Sequence, residues 1–517
     1  MVILAFKPGH DGAIAAIKDR KLLFSLEAEK DSFPRYSLLN PTTVLSAVEL
    51  LGELPDVIGV GGWYKRAFVA ADIGAGYFGA DAVTERETRI GGKPVKVYSG
   101  SHVRSHIWMS PGMAPPDDGG GRAVLVWEGL EGSFYVLDEG WNVVKEIPVL
   151  PQVGDRYAFI FALADPSYPA DGRNVRLGDS GKLMALAAFA DAADATPDVV
   201  ETVDRMLNLD VRRPAKREFR DLPIYNAGVE APVTKQAAAL ITKRIFDIYA
   251  TEARREIPAG LPLYISGGCG LNCDWNSAWR ELGHFSSVFV PPCANDSGSA
   301  LGTAIDALFA ATGDPRIDWS VYCGLEFEHD SEPDPARWSR RPVENAALAD
   351  SIAGGDVIAW VQGRYEMGPR ALGNRSILAE PFSTATRDRL NEIKGREDYR
   401  PIAPVCRLEE VGSLFDRDFP DPYMLYCRRV AVDTLGAVTH VDGSARAQTV
   451  TSESNRPLHD LLSAFSERHG AGVLCNTSLN FRGLGFINRM TDLESYCVAR
   501  GLDGMVVGSD WWARRAP

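Results

Sequence analysis

The sequence predicts an α/β protein of two domains, and three observations support this. The chain of 517 residues is longer than one hydrophobic core usually supports. An apolar strand, a glycine-rich loop and a helix follow one another at residues 261–283 and again at 288–313. The chain then turns polar and rich in proline and aspartate between residues 314 and 347, which predicts a boundary. We therefore expect one domain over residues 1–335 and a smaller α/β domain over residues 345–517.

The first domain opens with a strand, a tight turn and a returning strand. Residues 2–6 (VILAF) are apolar, KPGHDGA forms the turn, and IAAI and LLFSLEAE follow as further strands. Such a hairpin resembles the start of an actin-like, or RNase H-like, ATPase domain. Residues 42–52 predict a helix that ends at Gly52, and Ser101 begins a short helix that ends at Pro111. A second unit of strand, glycine loop and helix suits a fold that holds a nucleotide between two lobes.

Charge and composition exclude several classes of function. The formal net charge of −14 argues against broad, non-specific binding to nucleic acid or to membrane surfaces. The amino terminus lacks the basic and apolar regions of a signal peptide, and no run of about 18 apolar residues occurs. None of the eight cysteines forms a Cys-x-x-Cys pair, which argues against a zinc knuckle and a disulfide framework. We expect a cytoplasmic protein with reduced thiols.

The stretch from Gly363 to Pro404 is the strongest candidate for an anion site. It contains eight cations within an acidic chain: Arg364, Arg370, Arg375, Arg387, Arg389, Lys394, Arg396 and Arg400. Glycines and a proline in its first part break the helical period and predict turns. A guanidinium on such a loop grips phosphate bidentately, and glycine lets the ligand approach the backbone. The alternative is an ion-paired surface loop, because six acidic residues in the stretch could neutralise much of the charge.

A second candidate site combines two histidines with an aspartate. His102 and His106 are spaced i, i+4, so a helix places them on one face, close enough to share a metal. The alternative is a polar helix face. Asp296 lies after an apolar strand and before a helix, where it is either a third metal ligand or an ordinary helix cap. His10 lies in the first turn and is either a general base or a histidine that satisfies backbone groups.

Turns rich in glycine and hydroxyl groups supply further candidates. Gly267 and Gly268, in SGGCGLN, let backbone N–H groups reach an adenosine phosphate, although a glycine loop alone does not identify a nucleotide site. In the second domain, VDGSARAQTV and CNTSLNFRG are turns with one arginine each. Arg446, Ser478 and Asn480 are the residues there that could complete a phosphate cradle. The alternative for both segments is ordinary turn chemistry.

The order of these motifs resembles that in the O-carbamoyltransferases of antibiotic and nodulation-factor biosynthesis. The resemblance spans nearly the whole chain and rests on GHDGA, HVRSH, GKLMALA, SGGCGLN, ANDSGSALGTA, GRYEMGPRALGNRSILA, KGREDYRPIAP, VDGSARAQTV and CNTSLN. It implies an actin-like first domain with a duplicated RNase H-like fold, similar to the transferase that completes threonylcarbamoyl-adenosine on tRNA. It also implies a second domain similar to the YrdC-type protein that makes a carbamoyl adenylate.

The resemblance implies a two-step reaction with carbamoyl phosphate and with ATP, accompanied by Mg²⁺, as substrates. The second domain would form carbamoyl adenylate, through Lys394 and Arg370. In the first domain, an acceptor hydroxyl beside His10 would take the carbamoyl group, and AMP would leave. The binding residues implied are Arg364, Arg370, Arg375, Lys394, Arg400, Met424, Arg446, Ser478 and Asn480 for ATP and carbamoyl phosphate, Glu128, Lys182, Gly267, Gly268 and Asn272 for the adenylate, and His102, His106 and Asp296 for a divalent metal, expected to be Fe²⁺.

The resemblance also bears on the acceptor and on the competing functions. The opening AFKPGHDGA and the chain length are most similar to family members that carbamoylate the 3-hydroxymethyl group of cephem antibiotics. A tRNA threonylcarbamoyl transferase, an actin-like small-molecule kinase and a non-catalytic nucleotide-binding module remain alternatives. The acidic net charge argues against the first, because RNA affinity needs a basic surface. We expect a hydroxylated small molecule as partner, neither nucleic acid nor membrane, and leave a homodimer open.

Overall fold

The computed structural model describes residues 1–62, 74–209 and 213–515. The chain divides into two compact units. The first unit consists of Met1–Met113, Pro291–Thr439 and Gly443–Pro517, and the second consists of Ala114–Val290 with His440–Asp442. The boundary that the sequence predicts, between residues 335 and 345, falls inside the first unit. The compact units therefore follow the packing of the sheets rather than the polar composition of the connecting segment.

The first unit opens with a mixed sheet. The described part of residues 1–113 contains β1 (Val2–Lys7), β2 (Ala13–Lys18), β3 (Lys21–Glu27), α1 (Pro41–Leu51), β4 (Val57–Val60), β5 (Val83–Ile90), β6 (Lys93–Gly100) and α2 (His102–Met113). The strand order is β3-β2-β1-β4-β6-β5. β2 pairs antiparallel with β1 and β3, and β4 and β6 continue parallel beside β1. With β5 added at one edge, this is the order of an RNase H-like fold, as the opening hairpin predicts.

Both helices predicted in this region are present, with one difference. α1 ends at Leu51, and Gly52 follows it in the left-handed conformation with φ 65°. α2 continues to Met113 and contains Pro111, where the sequence predicts its end. A proline this close to the end of a helix removes a single hydrogen bond to the preceding turn, so the helix continues past it. All residues of α2 except Arg104 are buried.

The second unit repeats the strand order of the first. It contains β7 (Arg122–Trp127), β8 (Gly132–Leu137), β9 (Val143–Pro148), α3 (Val153–Ala164), α4 (Asp179–Ala187), α5 (Pro197–Leu207), α6 (Pro232–Glu256), β10 (Leu263–Ser266), α7 (Cys273–Glu281) and β11 (Val288–Phe289). The sheet order is β11-β10-β7-β8-β9. β8 pairs antiparallel with β7 and β9, and β10 and β11 continue parallel beside β7. The repeated order confirms the predicted duplicated, actin-like architecture.

The helix α8 (Ser299–Thr312) returns the chain to the first unit and packs on α2. A Cβ atom at Gly302 would lie 2.0 Å from the carbonyl oxygen of Ser105, so only glycine permits this close approach. Farther along the two helices, the rings of Trp108 and Phe309 stack with their centroids 4.2 Å apart. This packing fixes α2 against the segment that leads into α8.

A second sheet of the first unit is built from residues 338–514. Its elements and the helices around it are β12 (Trp338–Pro342), α9 (Asn345–Ala353), β13 (Ile358–Val361), β14 (Arg375–Ala379), α10 (Thr384–Lys394), β15 (Ala403–Arg407), α11 (Val411–Leu414), β16 (Arg428–Arg429), β17 (Ser444–Ala445), β18 (Gln448–Val450), α12 (Arg456–His469), β19 (Val473–Ser478), α13 (Met490–Arg500), β20 (Gly504–Val507) and β21 (Asp510–Arg514). The strand order is β12-β21-β20-β13-β14-β19-β15-β18, and β16 pairs with β17 separately.

Helices cover both faces of this sheet. Leu348 of α9 and Leu461 of α12 belong to one apolar cluster with residues of β13 and β19. Leu390 of α10 and Leu493 of α13 belong to a cluster on the other face. Alternate residues of the buried strands belong to the two clusters in turn, as expected for a sheet enclosed by helices. The predicted α/β class of this region is confirmed, and its likeness to the YrdC type stays a prediction.

Two further observations concern the whole described chain. None of the helices in residues 1–62, 74–209 and 213–515 has the length and apolar surface that a membrane span requires. All eight cysteines are free thiols, and seven of them are buried. Burial raises the pKa of buried thiols such as Cys293 and Cys475 well above the ordinary value. These cysteines therefore pack as small apolar side chains.

Candidate functional site

The three side chains that the sequence proposes as metal ligands lie together in the first unit. The Nε2 atoms of His102 and His106 lie 3.4 and 3.2 Å from Oδ1 of Asp296. The ligand atoms of these residues all lie within 4.8 Å of one another. The two imidazole rings meet edge to face, and both are buried. The i, i+4 spacing does bring both histidines to one carboxylate.

Close backbone packing places Asp296 beside α2. The residue begins a short 3-10 turn, Asp296–Gly298, directly before α8. A Cβ atom at Gly298 would lie 2.2 Å from the carbonyl oxygen of Cys293 and 2.3 Å from Sδ of Met109. Because glycine alone fits there, the turn can pack directly on α2. The segment ANDSGSALG thus provides both the carboxylate and the small residue that lets it approach the histidines.

His10 and Lys7 reach the same carboxylate from β1 and the turn after it. Nε2 of His10 lies 3.6 Å from Oδ2 of Asp296, and its Nδ1 lies 2.9 Å from Oδ2 of Asp11. Nζ of Lys7 lies 3.0 Å from Oδ2 of Asp296 and donates to the carbonyl oxygen of His10. Lys7 is absent from the residues that the sequence predicts. Its signal was a lysine at the end of an otherwise apolar strand, VILAFK.

This cluster keeps the Asp296 carboxylate ionised. Burial alone disfavours the charged form and would raise the pKa of a carboxyl group. The Lys7 ammonium and the neighbouring imidazoles oppose burial more strongly, so the pKa of Asp296 lies well below its ordinary value. The side chains of Lys7 and His102 are each 1% exposed, so water hardly screens these charges. Asp296 therefore offers one oxygen to the histidines and the other to Lys7.

The donor set fits a divalent transition metal. Two imidazoles and one carboxylate are the protein ligands of facial-triad iron sites and of many catalytic zinc sites. Ligand atoms within 4.8 Å of one another need only small side-chain movements to bind one ion at about 2.1 Å. The carboxylate is ionised, and neutral imidazole is the form that binds metals. The residues present thus suit the predicted metal, and its identity as Fe²⁺ stays a prediction.

In the second unit, the glycine loop after β10 lies against the end of β7. Gly267 has φ +93°, and a Cβ atom there would lie 2.3 Å from the carbonyl oxygen of Trp127. A Cβ atom at Gly268 would meet nothing within 4 Å. Asn272 caps α7 by accepting from the N–H of Asp274, while its buried Nδ2 has no acceptor among the residues described. The loop thus has open space at Gly268, and its contact with a nucleotide stays a prediction.

Two other residues predicted to bind the adenylate lie in the same unit. Glu128 directly follows β7 and is 4% exposed. Lys182 lies on α4, with Nζ 3.2 Å from Oδ1 of Asp179 and 5.2 Å from the centre of the Phe161 ring. Their contacts with a nucleotide stay predictions.

The arginine-rich stretch contributes to a half-buried cluster of cations in the first unit. Nζ of Lys394, at the end of α10, donates to the carbonyl oxygen of Ser478 at 2.5 Å and to Oδ1 of Asn480 at 2.7 Å. These acceptors are neutral. Burial, followed by the charges of Arg396 and Arg400, lowers the pKa of Lys394 well below its ordinary value. An ammonium partly withdrawn from water among arginines is unfavourable until an anion joins it.

The neighbouring arginines show the same excess of positive charge. Burial, Arg400 and Arg446 lower the pKa of Arg396 to about 9. Nη1 of Arg400 lies 3.7 Å from Oε2 of Glu397, which is a long contact for an ion pair. Nε of Arg446 is buried and has no acceptor in the part of the chain that the structure describes. The cluster is therefore electrostatically suited to bind an anion.

The alternative of an ion-paired loop holds for two members of the stretch. Arg387 pairs with Asp388 at 3.0 Å, and Arg389 pairs with Asp503 at 2.8 Å. Both arginines are about one-third exposed, as in ordinary surface ion pairs. Arg387 and Arg389 are thus paired on the surface, whereas Arg396 and Arg400 lie in the half-buried group around Lys394.

The contacts of Arg375 describe a structural role, and its predicted contact with a substrate stays a prediction. Its guanidinium is fully buried and donates to the carbonyl oxygens of Gln362, Gly363 and Asn374 and to Oδ1 of Asn488. All five N–H groups have acceptors within the protein, so none remains for a phosphate. Arg375 therefore positions the loop before β14. The spacing of the motif cannot distinguish this role from ligand binding.

The remaining predicted residues of this half lie on two loops. Arg364 is half-buried and donates through Nε to the carbonyl oxygen of Gly324 at 2.6 Å, so it also holds backbone. Arg370 lies half-buried on the glycine-rich loop. Met424 has φ 56°, an uncommon conformation for a side chain of this size, and its buried side chain packs with Leu372 and Ala403. The observed contacts of Met424 are packing contacts, and its predicted binding role stays a prediction.

Gly368 connects the arginine-rich loop with other parts of the first unit. Its N–H donates to the buried Oε1 of Glu27 at 2.5 Å, and its carbonyl oxygen accepts from Nζ of Lys30 at 2.7 Å. Its φ is +84°, and a Cβ atom there would lie 2.3 Å from the carbonyl oxygen of Pro292. Pro292 precedes Asp296 by four residues. The arginine-rich loop therefore touches the segment that carries the carboxylate of the histidine cluster.

Comparison with known proteins now decides the family. A model described as "Carbamoyltransferase N-terminus" matches residues 82–305, and one described as "Carbamoyltransferase C-terminus" matches residues 349–514. The chain belongs to the carbamoyltransferase family. It is 61% identical to a 3'-hydroxymethylcephem-O-carbamoyltransferase of Amycolatopsis lactamdurans, over 99% of both chains. It is 60% identical to the protein of that name from Streptomyces clavuligerus, over the whole of both chains.

More distant members extend the same family. Nodulation protein U of Sinorhizobium fredii is 32% identical over 94% of this carbamoyltransferase and 95% of its own length. The predicted family, with its antibiotic and nodulation branches, is confirmed. Among solved structures, an activator of 2-hydroxyisocaproyl-CoA dehydratase from Clostridium difficile with bound ADPNP aligns with 60% of this chain and 96% of its own, at 12% identity and a TM-score of 0.35. The actin-like assignment rests on strand order instead.

Proposed function

We propose that this carbamoyltransferase is ATP-dependent and transfers carbamoyl to a hydroxyl group in two steps. In the first step, water releases phosphate from carbamoyl phosphate. The carbamate oxygen then attacks the α-phosphorus of ATP, which expels pyrophosphate and leaves carbamoyl adenylate. In the second step, the acceptor hydroxyl attacks the carbamoyl carbon and the bond to AMP breaks. The hydroxyl proton passes to a base, and the products are the O-carbamoylated acceptor and AMP.

The observation that carries the proposal is the excess of half-buried cations around Lys394. Two anionic substrates and a departing pyrophosphate need fixed positive charge in a place with little water. Burial and the neighbouring arginines lower the pKa of Lys394, and its hydrogen-bond acceptors are neutral oxygens that do not offset these charges. A bound phosphate would supply that negative charge. The residues that we assign to ATP and carbamoyl phosphate are Arg370, Lys394, Arg400, Arg446, Ser478 and Asn480.

We assign the transfer step to His10 and its surroundings. If Nδ1 carries the proton and donates to Asp11, then Nε2 is the basic nitrogen. Nε2 is directed toward Asp296, beside the Lys7 ammonium. An acceptor hydroxyl placed there would lose its proton to His10 while a positive charge stands near the leaving phosphate. This arrangement supports a base and an electrostatic stabiliser within one cluster.

A divalent metal, expected to be Fe²⁺, would be held by His102, His106 and Asp296. When bound, it would supply positive charge to the phosphate group of the adenylate. Lys7 would hold the second oxygen of Asp296 and keep the carboxylate oriented. In the second unit, we assign adenylate contacts to Glu128, Lys182, Gly267, Gly268 and Asn272.

The acceptor that we propose is the hydroxymethyl group of a cephem antibiotic. Two relatives at 61% and 60% identity over nearly their whole length carry the name 3'-hydroxymethylcephem-O-carbamoyltransferase. The 32% identity to nodulation protein U is much lower, which favours the cephem branch over the nodulation branch.

One assay tests the reaction. The purified protein is incubated with ATP, Mg²⁺ and carbamoyl phosphate, with and without hydroxymethylcephem, and the nucleotides and the cephem are analysed. We expect AMP and pyrophosphate to appear only with carbamoyl phosphate, and a carbamoylated cephem to appear with the complete mixture. ADP as the sole nucleotide product would refute adenylate formation and favour a kinase reaction.

A further inference from the structure

We propose that Arg35 binds the carboxylate of the acceptor and so makes the enzyme selective for cephem acids. This inference rests on the proposed function and deepens it. A cephem nucleus carries a carboxylate on the ring carbon next to the one that bears the hydroxymethyl group. The acceptor therefore brings a fixed negative charge close to its reacting hydroxyl. A residue that recognises it must lie near His10 and keep hydrogen-bond donors available.

The loop that contains Arg35 packs on the turn that contains His10. The N–H of Gly12 donates to the carbonyl oxygen of Ser37 at 2.8 Å, and the N–H of Ala28 donates to that of Gly12 at 2.7 Å. The two ends of the loop are therefore bonded to the residue that follows Asp11, the partner of His10. This places Arg35 on a segment attached directly to the proposed transfer site.

The Arg35 guanidinium is held at one edge only. Nε donates to Oε2 of Glu29 at 2.8 Å, and the same oxygen accepts from the N–H of Tyr36 at 3.0 Å. Glu29 is 6% exposed and Arg35 is 31% exposed, so a buried carboxylate holds a guanidinium that still reaches solvent. Neither terminal nitrogen of Arg35 has an acceptor among the residues that the structure describes. These nitrogens are the fork that grips a carboxylate bidentately.

The charges around Arg35 agree with an anionic ligand. Glu29 neutralises it in part, and Asp11 is the other carboxylate that acts on it. Arg35 also belongs to the cations that lower the pKa of Lys394, so cations lie in its surroundings. We assign the ligand to the acceptor rather than to a substrate phosphate, because the loop is bonded to the His10 turn.

The test compares hydroxymethylcephem as the free acid with its carboxyl methyl ester. For the wild-type enzyme, we expect kcat/KM to be about 10- to 100-fold higher for the acid, as one charge-assisted fork contributes. Arg35→Ala should bring this ratio close to one by lowering the value for the acid. Arg35→Lys should restore part of the preference, since it keeps the charge and loses the fork. A ratio that persists in active Arg35→Ala would overturn the inference.

Two controls separate recognition from structure. Arg489→Ala removes an arginine whose Nε pairs with Asp31 of the same loop at 3.0 Å. It should lower activity toward acid and ester equally, and leave their ratio unchanged. Carbamoyl-phosphate-dependent exchange of pyrophosphate with ATP, measured without acceptor, should be unchanged in Arg35→Ala. Loss of that exchange would assign Arg35 to phosphate and overturn the inference. If the wild-type enzyme carbamoylates neither compound, the proposed function fails and this inference fails with it.

Discussion

Replacing Arg375 by methionine distinguishes a structural arginine from a ligand-binding one. The side chain keeps a similar length but loses its hydrogen-bond donors. Four acceptors then lose a donor: Oδ1 of Asn488 and the carbonyl oxygens of Gln362, Gly363 and Asn374. The Asn374 oxygen still accepts from the N–H of Gln362, and Gly363 is exposed, so the buried losses are those at Asn488 and Gln362. A buried group left unsatisfied costs about 1–3 kcal/mol. We therefore expect Arg375→Met to lower the free energy of unfolding by about 4 kcal/mol, a large part of the 5–15 kcal/mol typical of a protein.

The assay is urea unfolding followed by far-UV circular dichroism, with intrinsic fluorescence as a second probe. Arg446→Met is the matched control, because Arg446 lies in the cation cluster with a buried Nε that has no acceptor in the described chain. It should unfold at or above the wild-type urea concentration and still lose adenylate formation. An Arg375→Met protein with wild-type stability, and with adenylate formation alone lost, would show that Arg375 is a ligand of the substrate.

Three further predictions concern the two sites and pH. Asp296→Asn should lose bound divalent metal and carbamoyl transfer while keeping pyrophosphate exchange. Metal analysis and the exchange assay check this prediction. An equal loss of exchange would contradict it. Lys394→Ala should abolish the exchange, whereas His10→Asn should keep it and transfer carbamoyl at least about 100-fold more slowly; loss of both steps in both variants would refute this division. Burial raises the pKa of Asp155 from 3.8 to about 6. The charge of Arg213 opposes this shift, and the charge of Glu128 adds to it. The folded state then binds the extra proton, so stability should fall by about 2 kcal/mol as pH rises from about 4 to about 6. Asp155→Asn should flatten that slope in urea unfolding, and an unchanged slope would exclude Asp155 as its source.

The sequence predicted those features that depend on local spacing. Helical periodicity brought His102 and His106 to one face, and Asp296 was expected between an apolar strand and a helix. The strand, turn and strand at the amino terminus predicted the hairpin of β1 and β2. Each of these follows from residues within a few positions of one another, where backbone geometry decides the outcome.

The sequence could not predict features that depend on tertiary burial. Lys7 ends an apolar strand, and only the folded sheet shows that its ammonium meets Asp296. Arg375 lies within a motif of arginines, yet its acceptors include Asn488, more than a hundred residues away. The compact units likewise join distant segments of the chain. The predicted domains, residues 1–335 and 345–517, stay a prediction.

The contact between Gly368 and Pro292 limits how carbamoyltransferases can be recombined. A side chain at position 368 would overlap the carbonyl oxygen of Pro292, and the same glycine is bonded to Glu27 and Lys30. An engineered chimera that joins the amino-terminal half of one family member to the carboxy-terminal half of another must therefore keep all of these residues together. At this contact, residues from both halves of the sequence pack as one unit and have to be exchanged together.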